Sequence, residues 1–101
     1  MIMQKIIMYW RDIPSMVTAK QGRKRGKVML ADRFQHAIDR AAMRAKKAGS
    51  DSYIEEWRRD VTEVESDLSL QEFAEFAATQ LDAEYDDARL TEIVKNKGHV
   101  V

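Results

Sequence analysis

Between Ile2 and Trp10 the chain reads IMQKIIMYW, with apolar residues at both alternating sets of positions. Ile2, Ile6, Met8 and Trp10 form one apolar face broken by Gln4, and Met3, Ile7 and Tyr9 form a second, largely apolar one. Ile, Tyr and Trp favour strands, and the length suits one. A strand apolar on both faces is usually central or covered on both sides. Arg11-Asp12-Ile13-Pro14 then interrupts the pattern, because Pro14 holds Ile13 extended and has no amide hydrogen to donate. Met16 to Gln21 predicts a second strand, with Val17 and Ala19 on one face and Thr18 and Lys20 on the other. Consecutive strands usually pair, so the two are expected to form a hairpin.

The next stretch, Gly22-Arg23-Lys24-Arg25-Gly26-Lys27, is bracketed by glycines and reads as a basic loop or turn. Val28, Met29 and Leu30 return to the core. Asp32 with Gln35 has the spacing of a capping box and predicts a helix over Arg33 to Lys47. Its apolar stripe is Phe34, Ile38, Ala41 and Ala45, with Arg33, Arg40, Arg44 and Lys47 on the other face and Gly49 as the stop. Two periods compete from Ser52 to Glu65. Ile54, Trp57, Val61 and Val64 fit a helix, while Tyr53, Trp57 and Val61 share one face of a strand. A strand near Trp57 to Val64 is preferred, since a two-stranded hairpin alone is rarely stable. Ser69 and Glu72 form a second capping box ahead of a helix from Leu70 to about Tyr85, striped by Leu70, Phe73, Ala77 and Leu81. Asp86-Asp87 can start another helix with Leu90, Ile93 and Val94 inward and Gly98 as its stop, or the two segments can run on as one. The expected fold is α+β: a small antiparallel sheet of about three strands with two or three packed helices, forming a single domain over residues 1–101.

Charge adds a division that the net value of zero conceals. Lys20 to Lys47 holds ten Lys/Arg against Asp32 and Asp39, whereas Asp51 to Glu92 holds fourteen Asp/Glu against three Arg. Either the two halves lie side by side and neutralise each other, or the basic half faces an anionic partner. The acidic half would repel a long polyanion unless it faced away, which makes nucleic acid the second choice of partner after protein.

The candidate chemistry is sparse. The chain has no cysteine, so thiol catalysis, thiolate metal sites and disulfides are excluded. His36 and His99 are the only imidazoles, far apart, and no metal site or cofactor is expected. No glycine-rich phosphate motif is present, and adjacent carboxylates such as Glu55-Glu56 and Asp86-Asp87 fit a solvated acidic face. His36 lies off the apolar stripe and reads as a surface histidine. No catalytic residue is proposed, and the balance leans away from an enzyme. The apolar run at the start, interrupted by Lys5, is far short of a membrane helix and lacks the flanks of a leader, so a cytoplasmic chain without a membrane role is expected.

Two features remain as candidate binding positions. Tyr9, Trp10, Arg11 and Asp12 put an arginine beside aromatics at a strand end, a composition favoured in interface hot spots. The competing reading makes Tyr9 and Trp10 core and rim aromatics and pairs Arg11 internally with Asp12 or an acid near Trp57. The second feature is a basic arc that includes Arg23, Lys24, Arg33, Arg40 and Arg44, together with Lys20, Arg25 and Lys27. It serves either as a solubilising surface or as a phosphate-binding one.

The strings Tyr9 to Pro14 (YWRDIP), Gly22 to Lys24 (GRK), Arg33 to Ala45 (RFQHAIDRAAMRA) and Tyr53 to Arg58 (YIEEWR) resemble a small bacterial family labelled virulence factor. That family is similar to the C-terminal portion of conserved virulence factor C. The label describes a phenotype and carries no catalytic residues. Its stand-alone members sit near genes for corrinoid- and folate-dependent methyl transfer. The resemblance therefore implies a non-enzymatic accessory or interaction protein, with a methyl-transfer enzyme as a partner.

Overall fold

A computed structural model describes residues 1–47, 49 and 51–100. The doubly apolar segment is strand β1 (Ile2–Trp10), and its position explains its pattern. It lies inside the sheet, between β2 (Ile13–Gln21) and β4 (Trp57–Glu65). A further strand, β3 (Lys24–Met29), lies beyond β2, giving an all-antiparallel sheet of order β3-β2-β1-β4. The helices are α1 (Asp32–Arg44), the short α2 (Asp51–Glu55), α3 (Leu70–Glu84) and α4 (Asp87–Lys95). The fold is α+β, with four strands rather than about three.

The core lies between the helices and one face of the sheet. Met3 and Ile7 of β1 and Val17 and Ala19 of β2 are buried with Phe34 and Ile38 of α1 and Leu90 and Ile93 of α4. Phe34 and Ile38 are 1% and 0% exposed, as the helical stripe predicts. Burying each such side chain contributes about 1.5–3 kcal/mol. α3 lies across β2 and β3, while α1 touches β2 and packs on α4. Ala74, Ala77 and Ala78 face inward on α3, so its backbone approaches the sheet closely.

The extra strand comes from the segment read as a basic loop. Only Gly22 and Arg23 turn, with Gly22 at φ +59°, where a type II′ hairpin turn takes glycine. From Lys24 on the chain alternates: Gly26 and Val28 face α3, while Arg25, Lys27 and Met29 face away. A strand with one face in water can carry that much charge, which is why composition alone suggested a loop. Gly26 is buried because α3 starts directly against it. Next to it, the Lys27 backbone N–H donates to Gln71 Oε1 at 3.3 Å, and Gln71 Nε2 donates to the Lys27 carbonyl at 3.4 Å. The glutamine amide thus occupies the outer edge of β3 as a neighbouring strand residue would.

Other boundaries also differ from expectation. β2 begins at Ile13, with Pro14 inside it. The ladder pairs Met8 with Met16 and then Tyr9 with Pro14, so Ser15 is left over as a bulge, where a strand tolerates proline. Asp32 is not the cap of α1. The cap position is Ala31, without a side-chain bond, and the Gln35 amide bonds Asp39 instead. Asp32 serves as the acid of the first turn. Ser69 does cap α3, accepting from the Glu72 N–H at 3.2 Å. The region after it forms two helices, because Asp86 accepts from the Arg89 N–H at 2.8 Å and opens α4.

α1 ends before Lys47 and does not use Gly49. Lys46 takes φ +60°, its N–H bonds the Met43 carbonyl, and the Lys47 N–H bonds that of Ala42. This is a Schellman closure with lysine where glycine is usual. Lys97, at φ +61°, closes α4 in the same way. Lys46→Gly is expected to stabilise the protein by roughly 0.5–1 kcal/mol, read as a higher melting temperature. A lower one would mean that the Lys46 side chain contributes a contact worth more than the strain.

Candidate functional site: the open face of the sheet

The helices cover one face of the sheet, and the other is left to solvent. The register places its side chains in three cross-strand rows. They run Arg59–Met8–Met16–Met29, Val61–Ile6–Thr18–Lys27 and Glu63–Gln4–Lys20–Arg25. The middle of this face is apolar. Met29 and Val61 are 62% and 53% exposed, while Ile6 is shielded to 5% by its neighbours. Ile6, Met8, Met16 and Thr18 floor a hollow of about 350 Å³, walled by Lys20, Arg25, Lys27 and Arg59. Long cationic side chains lay their stems along such a floor and hold their charges at the rim. Among the described residues, none of these four cations is ion-paired. No acid lines the hollow, so its field is positive over an apolar, methionine-rich surface.

The sequence-derived candidates fall in three separate places. Tyr9, Trp10, Arg11 and Asp12 form a closed cluster at the β1–β2 turn. Trp10 is fully buried, stacks on Tyr53 at 5.7 Å and donates its indole N–H to the Tyr53 carbonyl at 2.9 Å. Tyr9 lies under the Arg58 guanidinium at 4.4 Å. Burial pushes the Tyr9 phenol up to about 12, with Tyr85, Asp60 and Glu84 adding and Arg58 opposing. Arg11 sits at φ +53° with its side chain 9% exposed. Its guanidinium donates to the Lys97 carbonyl at 2.8 Å and to Glu56 Oε1 at 3.3 Å, while Nε is buried without a partner. Asp12 accepts from Arg58 at 3.1 Å and from the Val100 N–H at 2.7 Å, and its own N–H donates to the Gly98 carbonyl, so the segment 98–100 closes over the turn. Burial alone would raise the Glu56 carboxyl. Hydrogen bonds and charge from Arg11 and Lys47 outweigh it and hold Glu56 below the ordinary glutamate range.

Among the basic candidates, Arg33 is turned onto the acidic half. It pairs with Asp82 at 3.0 Å and Asp87 at 3.4 Å and donates to the Tyr85 carbonyl. Here the two halves of the chain do neutralise each other. Arg40 and Arg44 lie on α1 beside Thr91, Val94 and Lys95 of α4, and Arg23 and Lys24 are exposed at the β2–β3 end. The arc does not close into one surface, although Lys20, Arg25 and Lys27 do converge on the open face. Met8, Met16, Met29, Arg59 and Val61 complete that face and were not picked out from the sequence. The signal was present as the alternation of Arg25, Lys27 and Met29 with Gly26 and Val28, once Lys24–Met29 is recognised as a strand.

Among the described residues no group of three or more His, Cys, Asp and Glu could hold a metal ion, and no helix is long and apolar enough to cross a membrane. No curated protein and no solved structure matches the chain. A family model described as Virulence factor matches residues 8–94, running from Met8 on the open face to Val94 of α4, and by that match the chain belongs to the virulence factor family.

Proposed function

We propose that this protein is an accessory interaction module whose open sheet face receives an acidic, apolar-faced segment of a partner protein. The observation that carries this reading is the face itself, a floor of Ile6, Met8 and Met16 framed by the four cations Lys20, Arg25, Lys27 and Arg59. The apolar floor supplies affinity, and the unpaired cations select an acidic partner and speed its encounter. Methionine side chains adapt to irregular partner surfaces. No aromatic side chain lines the hollow for bases to stack on, which favours protein over single-stranded nucleic acid. The family resemblance names a corrinoid- or folate-dependent methyl-transfer protein as the first partner to try. It also sets the chain beside the C-terminal portion of conserved virulence factor C. The working location in this reading is the cytoplasm.

Photo-crosslinking in the bacterial cell tests it. A photoreactive residue at Met29, on the open face, is expected to trap a protein adduct. The same residue at His36, on the outer side of α1, is not. Lys27→Glu and Arg25→Glu are expected to cut the Met29 adduct about tenfold or more while the melting temperature holds. Equal adducts from His36, no adduct from Met29, or an adduct indifferent to Lys27→Glu would overturn the proposal. An RNA adduct at Met29 would replace the protein partner with a nucleic acid.

A further inference from the structure

The two edges of the sheet are not alike. β3 has its edge at Lys27 occupied by the Gln71 amide. β4 pairs on one side only, with β1, and its nine residues are almost all exposed. The direction of its free backbone groups follows from the register. Just beyond the two ends of the β1–β4 ladder, the Ser66 N–H bonds the Met1 carbonyl at 3.0 Å and the Arg11 N–H bonds that of Glu56 at 3.1 Å. Antiparallel ladders alternate hydrogen-bonded and non-bonded pairs. The even-numbered residues of β4 therefore bond β1, and Trp57, Arg59, Val61, Glu63 and Glu65 turn their N–H and C=O groups outward.

We infer that two copies of this chain join edge to edge through β4, antiparallel about a two-fold axis at Val61, into one continuous eight-stranded sheet. In this register Val61 meets Val61 of the second copy, and Arg59 meets Glu63 of the second copy. The two-fold repeats that second pair. Every outward-facing residue meets another outward-facing residue, which allows about ten interstrand hydrogen bonds. Val61 is 53% exposed, and among the described residues Arg59 and Glu63 have no ion partner within the chain. A shift of the axis to Thr62 would place Val61 against Glu63, and a shift to Asp60 would place Arg59 against Val61. Opposite charges directly across a ladder stabilise it and like charges oppose it. The Thr62 axis would keep an opposite pair, Arg59 with Glu65, but would set Val61 against a carboxylate, so the apolar pair at Val61 decides the register. Residues 57–65 thus carry a sequence that complements itself when reversed, basic near its start, apolar at its centre and acidic near its end. This pairing needs no other protein, but it engages Arg59, one of the four cations of the open face, and leaves Lys20, Arg25 and Lys27 to an acidic partner.

Sedimentation equilibrium of the purified chain tests the inference. The wild type is expected to sediment at twice the chain mass. Arg59→Glu and Glu63→Arg, each alone, are expected to weaken the dimer about tenfold or more, because each sets like charges across the axis twice. The double variant Arg59→Glu/Glu63→Arg restores the opposite charges and is expected to return to within about threefold of wild type. Val61→Pro removes only an outward N–H, so it is expected to give a folded monomer with wild-type circular dichroism. A wild type that stays monomeric near millimolar concentration overturns the inference. So does a double variant no tighter than the single ones, or a folded Val61→Pro chain that remains a dimer.

Discussion

Gly26→Val is expected to abolish folding at ordinary temperature, and Gly26→Ala to cost about 3 kcal/mol or more. The reason is space rather than backbone conformation. A Cβ on Gly26 would lie 2.5 Å from the Gln71 nitrogen, 2.6 Å from its Cα and 2.7 Å from the Leu70 carbonyl carbon. All three are backbone atoms at the start of α3, so no side chain can swing aside. α3 would have to lift from β3, uncovering Ala74 and Ala78 and breaking the Lys27–Gln71 amide pair. Small domains are stable by about 5–15 kcal/mol, and for one of this size each kcal/mol moves the melting temperature by roughly 4–8 °C. Thermal unfolding of Gly26→Ala should therefore begin well below that of wild type. A shift of less than about 4 °C would mean that α3 yields more easily than its contacts indicate.

Arg11→Ala is expected to lower stability by about 2–4 kcal/mol, since it removes charge-assisted hydrogen bonds from a largely buried group. The guanidinium joins the β1–β2 turn to Glu56 before β4 and to Lys97 after α4. Without it, the left-handed turn at position 11 loses two of its ties. Arg11→Lys should rescue little, because a single ammonium cannot span both acceptors as the planar fork does. The pH dependence gives an independent readout. Glu56 has a folded-state pKa below its unfolded value, so it binds fewer protons when folded. Its contribution is fully present above the ordinary glutamate range and is lost as the pH falls through the lower folded-state value. Arg11→Ala should therefore lose stability less steeply in that acid window than wild type does, and Glu56→Gln should flatten the same window. An unchanged melting temperature with loss of partner binding would instead make Arg11 a contact for the partner.

The central strand, the α1 stripe and the Ser69 cap were legible because each is a local pattern with a physical period. IMQKIIMYW names a central strand by its two apolar faces, and Phe34 and Ile38 name the buried side of α1. Lys24–Met29 was not legible as a strand. Its charge and its two glycines dominate any local reading, and the need for Gly26 arises from α3, more than forty residues later. The closure of α1 at Lys46 was hidden for a related reason, since the Schellman bonds form without the glycine that usually marks them. The candidate positions at Tyr9 to Asp12 were visible as a cluster, but their direction was not. Whether Arg11 reaches out to a partner or in to Glu56 and Lys97 depends on where the last helix ends. The open face was half visible as Lys20, Arg25 and Lys27. Its other half, Met8, Met16 and Arg59, appears only when three strands are laid side by side in register.

The α3 glutamine bonded to the edge of β3 also bears on how this protein behaves when crowded. A sheet with two bare edges can add copies at both ends and grow into a filament, because each addition regenerates the surface that made it. Here one edge is capped at Lys27 by the Gln71 amide, and the other is proposed to complement itself about a two-fold axis. Association through such an edge consumes it and leaves nothing to extend. Loss of Gln71 would free the Lys27 backbone groups on the second edge and so favour a propagating contact over a self-limiting one. Colloidal safety in this chain thus draws on an amide bonded to the backbone of Lys27, whose side chain frames the face proposed to do its work.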